Sequence, residues 1–76
     1  MSKREALKEL ITQDLVAYIV QDNDISIIDA MTLLYKSKVY ELIQDDETGL
    51  YLEGSAYIYD LLKNEQANGV LVQEEI

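Results

Sequence analysis

The chain has 76 residues with no Cys, no His and no Pro, and 15 acids against 6 bases give a net charge of −9. A single small domain is the most this length supports, and disulfides, imidazole or thiolate metal sites and Ser-His or Cys-His acyl transfer are excluded by composition. A chain this short is marginally stable alone. With disulfide and metal staples gone, a partner chain, identical or different, is the staple that remains.

The hydrophobic share of 49% is too rich for a disordered chain. The acidic field repels phosphate backbones and would attract a basic partner. No apolar run approaches the length that spans a bilayer. The opening MSKREALKEL is charged and helical, with no signal-peptide core. The expected location is cytoplasmic, with no membrane partner and no direct nucleic-acid partner.

A first helix is predicted over about Lys3 to Gln21. Ser2 with Glu5 forms a capping-box pair. At about 100° per residue, Leu7, Leu10, Ile11, Leu15, Tyr18 and Ile19 share one broad face. Asp14 falls inside that apolar stripe, and Val16 and Val20 project on the outer, polar side. Gln21-Asp22-Asn23-Asp24 is a polar stop.

A second helix is predicted from Ile27, with Ser26 and Asp29 repeating the cap signature. Ile27, Ile28, Met31, Leu34 and Tyr35 form its expected buried face, and Leu33 points away. The next apolar set, Val39, Leu42 and Ile43, is rotated by roughly a quarter turn from the previous one. One straight helix would not aim both sets at one core. A break near Ser37 is therefore expected, with Ser37 capping a short helix over Lys38 to Gln44; an unbroken bent helix is the alternative.

Asp45-Asp46-Glu47-Thr48-Gly49 ends that helix, with Gly49 expected at positive φ. Leu50-Tyr51-Leu52-Glu53 alternates, so a short extended segment is predicted, with Leu50 and Leu52 on one side. Gly54-Ser55 opens the last helix with Ser55 as its cap. Tyr57, Ile58, Leu61 and Leu62 give its apolar face, Tyr59 lies outside, and Asn68-Gly69 closes it. The expected fold is all-α, a compact bundle of three to four short helices over residues 1–69. A Thr-Gly turn and the short extended segment precede its last helix, and residues 70–76 form a C-terminal tail.

Three stretches carry a resemblance. The run ISIIDAMTLLYKSKVY, ending at Tyr40, is followed by Glu47-Thr48-Gly49-Leu50-Tyr51 and then by Ser55-Ala56-Tyr57-Ile58-Tyr59 with Leu62. Together they resemble a group of small uncharacterised bacterial helical proteins. That group carries an acidic-x-Thr-Gly-Leu-Tyr segment before a Ser-x-x-Tyr-x-Tyr helix. The similarity runs from the first helix to Glu65. It implies a helical fold and no assigned activity. Some similar chains look like partners of neighbouring toxin-like proteins. Glu53-Gly54 departs from the more polar Gln-Ser-like pair usual there.

Few residues offer chemistry. Asp22-x-Asp24-x-Ser26 opens like a calcium loop, but Ile27 replaces the turn glycine and Leu33 the bidentate Glu. A helix-capping loop is the better reading. Gly49 and Gly54-Ser55 lack the Lys and the preceding strand of a phosphate loop. Asp14, beside Leu7, Leu10 and Tyr18, is the one acid in an unusual place. It is a candidate buried acid, weighed against a carboxylate that lies at the stripe's edge or accepts hydrogen bonds from a tyrosine or a backbone cap. No catalytic, cofactor-binding or metal residues are assigned.

The six tyrosines occur without Phe or Trp. Tyr18, Tyr35 and Tyr57 fall on expected core faces. Tyr40, Tyr51 and Tyr59, with Val16, Val20 and Leu33, are expected outside the bundle and form the candidate partner interface. The functional expectation is a non-enzymatic, acidic protein–protein interaction module, a homo-oligomer or an antitoxin-like or regulatory partner of a neighbouring, basic protein. The alternative is a DNA-associated regulator, since the second and third helices superficially resemble a helix-turn-helix. Against it, KVYELIQDDE offers one Lys and four acids.

Overall fold

A computed structural model describes residues 2–68 of the chain. Four α-helices, α1 (Lys3–Asn23), α2 (Ile27–Tyr35), α3 (Lys38–Gln44) and α4 (Ser55–Asn68), are joined by short turns. Two single-turn 3-10 helices, Asp46–Thr48 and Leu50–Leu52, link α3 to α4. The fold is all-α, as the helical periodicities imply. The predicted tail, 70–76, and Gly69 lie outside the described residues.

Each of the first three helices starts on a serine whose hydroxyl accepts a backbone N–H three residues on. Ser2 takes that of Glu5, Ser26 that of Asp29, and Ser37 that of Tyr40. These bonds satisfy donors that the first helical turn leaves without partners. The break at Ser37 separates α2 from α3, and Ser37 also donates to the Leu34 carbonyl at 2.6 Å. Glu65 of α4 completes the same cap, accepting from the N–H groups of Lys38 at 2.8 Å and Val39 at 3.1 Å.

α1 runs two residues beyond its expected end. Asp24, in the left-handed region at φ 54°, then donates its N–H to the Val20 carbonyl and turns the chain. Two corrections fall at the α3–α4 joint. Leu50–Leu52 is a 3-10 turn rather than an extended segment: Leu52 donates to the Gly49 carbonyl at 3.0 Å and Glu53 to that of Leu50 at 2.9 Å. Thr48 organises it, donating to the Leu42 carbonyl at 2.7 Å and accepting from the Leu50 N–H at 3.1 Å. Local bonds thus satisfy a backbone that has no strand beside it among the described residues. Leu50 packs on the core while Leu52 stays 68% exposed, so the two do not share a side. Gly49 does take positive φ, at 67°. Ser55 is the first residue of α4 rather than its cap, and the Gly54 carbonyl accepts the Ile58 N–H.

The core is Ile11, Leu15 and Ile19 of α1, Ala30 and Leu34 of α2, Val39 and Ile43 of α3, and Ile58, Tyr59 and Leu62 of α4. The predicted phases of α1, α2 and α4 need correction. On α1, Leu7 and Leu10 are exposed while Val16 and Val20 pack on the core. On α2, Ala30 is fully buried, Leu33 packs against the core, and Ile27, Ile28 and Tyr35 are exposed. On α4, Tyr59 is buried and Tyr57 exposed. The α2 error has a simple cause. Asp29 and Thr32 mark only one polar side of IIDAMTLLY, so its apolar arc is wider than the core covers and periodicity leaves open which part is buried. The buried part of the arc carries Leu34 and the small Ala30.

The helices form a slab of 34 × 32 × 18 Å. A helix with side chains is about 10–12 Å thick, so the short dimension accommodates little more than two layers. A body this thin has too little interior for all of its large apolar residues.

Candidate interaction surface

The six candidate interface residues are more covered than their sequence positions implied. Val16, Val20, Leu33, Tyr40 and Tyr51 are half-buried and packed against the core. Tyr59 is only 9% exposed, so it is core and cannot serve as an outward-facing contact. Its ring lies 5.1 Å from that of Tyr18, and its hydroxyl donates to Asp22 at 2.7 Å. Burial, followed by the hydrogen bond to the Asp22 carboxylate, pushes the Tyr59 phenol up to about 12. Asp22 is therefore used as an acceptor, Asp24 as the α1 terminator and Ser26 as the α2 cap.

Different apolar residues are left outside. Ile28 is 74% exposed, Leu52 68%, Ile27 62% and Leu10 55%. Tyr57, Tyr35 and Leu7 are also exposed. They lie on at least two sides of the slab. Leu7 and Leu10 share with Asp14 the flank of α1 that meets the start of α4. Val16, two positions on from Asp14, lies about 200° away on the opposite flank.

On that second flank α1 and α2 border a groove of about 650 Å³, with Val16, Ala17, Val20, Ile27, Met31 and Tyr35 in its walls. Thr12, Gln13 and Gln21 are its polar residues, and no charged side chain lines it. It continues past Thr12, Gln13 and Tyr35 into a second depression of about 530 Å³ that adds Glu5, Lys8, Glu9 and Tyr40. Tyr35 stands at the junction, its ring centroid 4.9 Å from that of Tyr40.

The charges around this surface are mostly acidic. Lys8 has only 12% of its side chain exposed; it bonds the Gln44 carbonyl and pairs with Asp46. Arg4 pairs with the same carboxylate at 3.0 Å. The Lys8 bond, supported by Arg4, holds the Asp46 carboxyl below its ordinary range. Lys38 pairs with Glu41 and Lys63 with Asp60, so four of the six bases are engaged on the chain's own acids. Those pairs occupy three carboxylates among the described residues, and Glu5 and Glu9 are not among them.

Asp14 is half-buried and accepts a hydrogen bond from the Ser55 hydroxyl at 2.7 Å. The bond ties α1 to the start of α4. The carboxylate lies at the edge of the stripe, but its donor is a serine rather than the tyrosine or cap considered above. Among the described residues no His, Cys, Asp or Glu cluster is arranged to hold a metal, and no helix is long and apolar enough to cross a membrane.

The signal for this surface was present in the sequence as an excess. Apart from a polar side carrying Asp29 and Thr32, α2 is apolar, and so wide an apolar arc in so small a body leaves part of it uncovered. The covered part carries Ala30 and Leu34, and Ile27, Ile28 and Tyr35 are left outside. No family profile matches the chain, and no curated protein or solved structure matches it either.

Proposed function

We propose that this protein is a non-enzymatic protein–protein interaction module, an acidic regulatory or antitoxin-like partner of another protein. The supporting observation is the set of large apolar side chains left in solvent by a slab two helices thick, led by Ile27 and Ile28 of α2. Isolated exposed apolar residues are ordinary on a monomer. Here two of them, Ile27 and Tyr35, line one groove together with the half-buried Val16, Val20 and Met31, and a grouped arrangement of that kind is typical of contact surfaces. The acidic balance favours a basic partner. The same balance disfavours DNA, because the one lysine of α3 is engaged with Glu41.

The test is co-purification of the tagged chain from its native host, followed by reconstitution from the two purified proteins. A stoichiometric second protein that re-forms a complex supports the reading. A chain that purifies alone and stays monomeric in sedimentation at high concentration overturns it. Asp14→Asn is expected to alter stability or association. Robust catalytic turnover that this substitution abolishes would also defeat the reading.

A further inference from the structure

We infer that the groove between α1 and α2 is the docking site for a basic amphipathic helix of another protein. This rests on the interaction reading above and names the surface and the chemistry of what occupies it. An amphipathic helix lays one apolar stripe into such a groove and turns its polar residues to the rims. The groove has that form: its walls are Val16, Ala17 and Val20 on one side and Ile27, Met31 and Tyr35 on the other. The two sets follow spacings of three and four residues along their helices, the spacing at which a docked helix presents its own anchors. Ala17 is small and exposed, so the wall is low in the middle of α1.

Charge decides between occupants. A second copy of this chain would bring a net charge of −9 to a chain that itself carries −9. The groove itself has no charged lining residue, so a second copy would gain no compensating ion pair inside it. At the far end Glu5 and Glu9 stand beside the continuing depression, while its only base, Lys8, is held by Asp46 and the Gln44 carbonyl. The free charge there is negative. The fitting helix carries an apolar stripe flanked by Lys or Arg, with a base at the end that reaches Glu5 and Glu9. From Glu5 to Gln21 α1 rises about 24 Å, which accommodates a helix of about 15 residues.

The probe is a synthetic leucine–lysine peptide of about 15 residues, with leucines at i, i+3, i+4 and i+7 spacing. It is titrated into isotope-labelled full chain while backbone amide shifts are followed. The expected result is saturable binding with the largest shifts at Val16, Ala17, Val20, Ile27 and Met31. Ala17→Arg, a good helix former at an exposed site, should weaken binding by roughly tenfold or more. Ile27→Lys should do the same, and serves alone if the first variant fails to fold. Three results overturn the assignment. Equal binding by the same residues in alternating order, which keeps the charge and the apolar content but not the helical stripe, would show that the groove does not recognise a helix. Concentration-dependent shifts at the groove without peptide would make a second copy the occupant. Shifts centred on Ile28, Leu52 or Tyr57, or no binding, would place the contact elsewhere. In that last case a partner recovered by co-purification would still leave the interaction reading standing.

Discussion

Tyr59 shows how far a single residue can depart from what its position in the sequence implies. It was expected outside the bundle, yet its ring fills the space between α1 and α4 and its hydroxyl reaches Asp22. The half of the ring that carries the polar tip finds a carboxylate, which lets a tyrosine serve as core. The arrangement has a pH consequence. The phenol must lose its proton to become charged, and in the folded chain that requires a pH near 12 rather than the ordinary value of 10. The neutral phenol is thus favoured by folding. Its contribution is fully present below about pH 10 and is lost as pH rises from there through 12. The displacement corresponds to stability on the order of 1–2 kcal/mol. Chemical denaturation at pH 8, 10 and 12 should show that loss in the native chain relative to Tyr59→Phe, which lacks the ionisable group. Parallel pH profiles for the two proteins would show that burial and Asp22 do not act on this phenol.

At the scale of elements, the break between α2 and α3 rests on two side chains from different parts of the chain. Ser37 bonds forward to the Tyr40 N–H and backward to the Leu34 carbonyl. Glu65, from α4, takes the two amides that Ser37 leaves, those of Lys38 and Val39. A carboxylate at a helix N-terminus gains from the aligned peptide dipoles as well as from the bonds. Glu65→Ala is expected to cost about 1.5–3 kcal/mol. It should also accelerate hydrogen exchange selectively at Lys38 and Val39, with α1 amides less affected. Glu65→Gln, which keeps one acceptor oxygen, should fall between. Uniform exchange changes across all four helices would mean that Glu65 supports the whole fold rather than this cap. The contrast between the two partners marks what was legible in the sequence. Ser37, like Ser2 and Ser26, acts within three residues of itself, so the cap and the break could be read from local spacing. Glu65 lies 27 positions from Lys38 and gives no local sign. The same distinction covers the errors. Alternation over four residues fits a strand and a 3-10 turn alike, and at Leu50–Leu52 the Thr48 hydrogen bonds decide it. In α2 only Asp29 and Thr32 mark a polar side, and the apolar arc opposite them is wider than the core, so periodicity does not say which part of the arc is buried. The excess of apolar residues was legible, and their address was not.

For the whole molecule, the ion pairs are too few to balance the acids. Among the described residues, Asp46, Glu41 and Asp60 pair with bases, and ten other Asp and Glu do not. Exposed pairs each contribute little, while the unpaired acids repel one another over distances comparable to the thickness of the slab. Salt screens both, with a Debye length that shrinks from about 30 Å at 0.01 M to about 3 Å at 1 M. The repulsive majority should therefore decide the sign, and sodium chloride should stabilise the isolated chain. A gain on the order of 0.5–1 kcal/mol corresponds to a rise of about 2–8 °C in Tm for a domain of this size. Binding of a basic helix should respond in the opposite direction, because salt screens the attraction between its cations and Glu5, Glu9 and the surrounding field. The pair of measurements therefore predicts opposite slopes: Tm of the chain alone rising with salt, and affinity for the leucine–lysine peptide falling with it. A falling Tm would mean that the Arg4–Asp46–Lys8 network outweighs the general repulsion. A peptide affinity insensitive to salt would leave apolar contact as the sole attraction in the groove and remove the reason for requiring a basic partner.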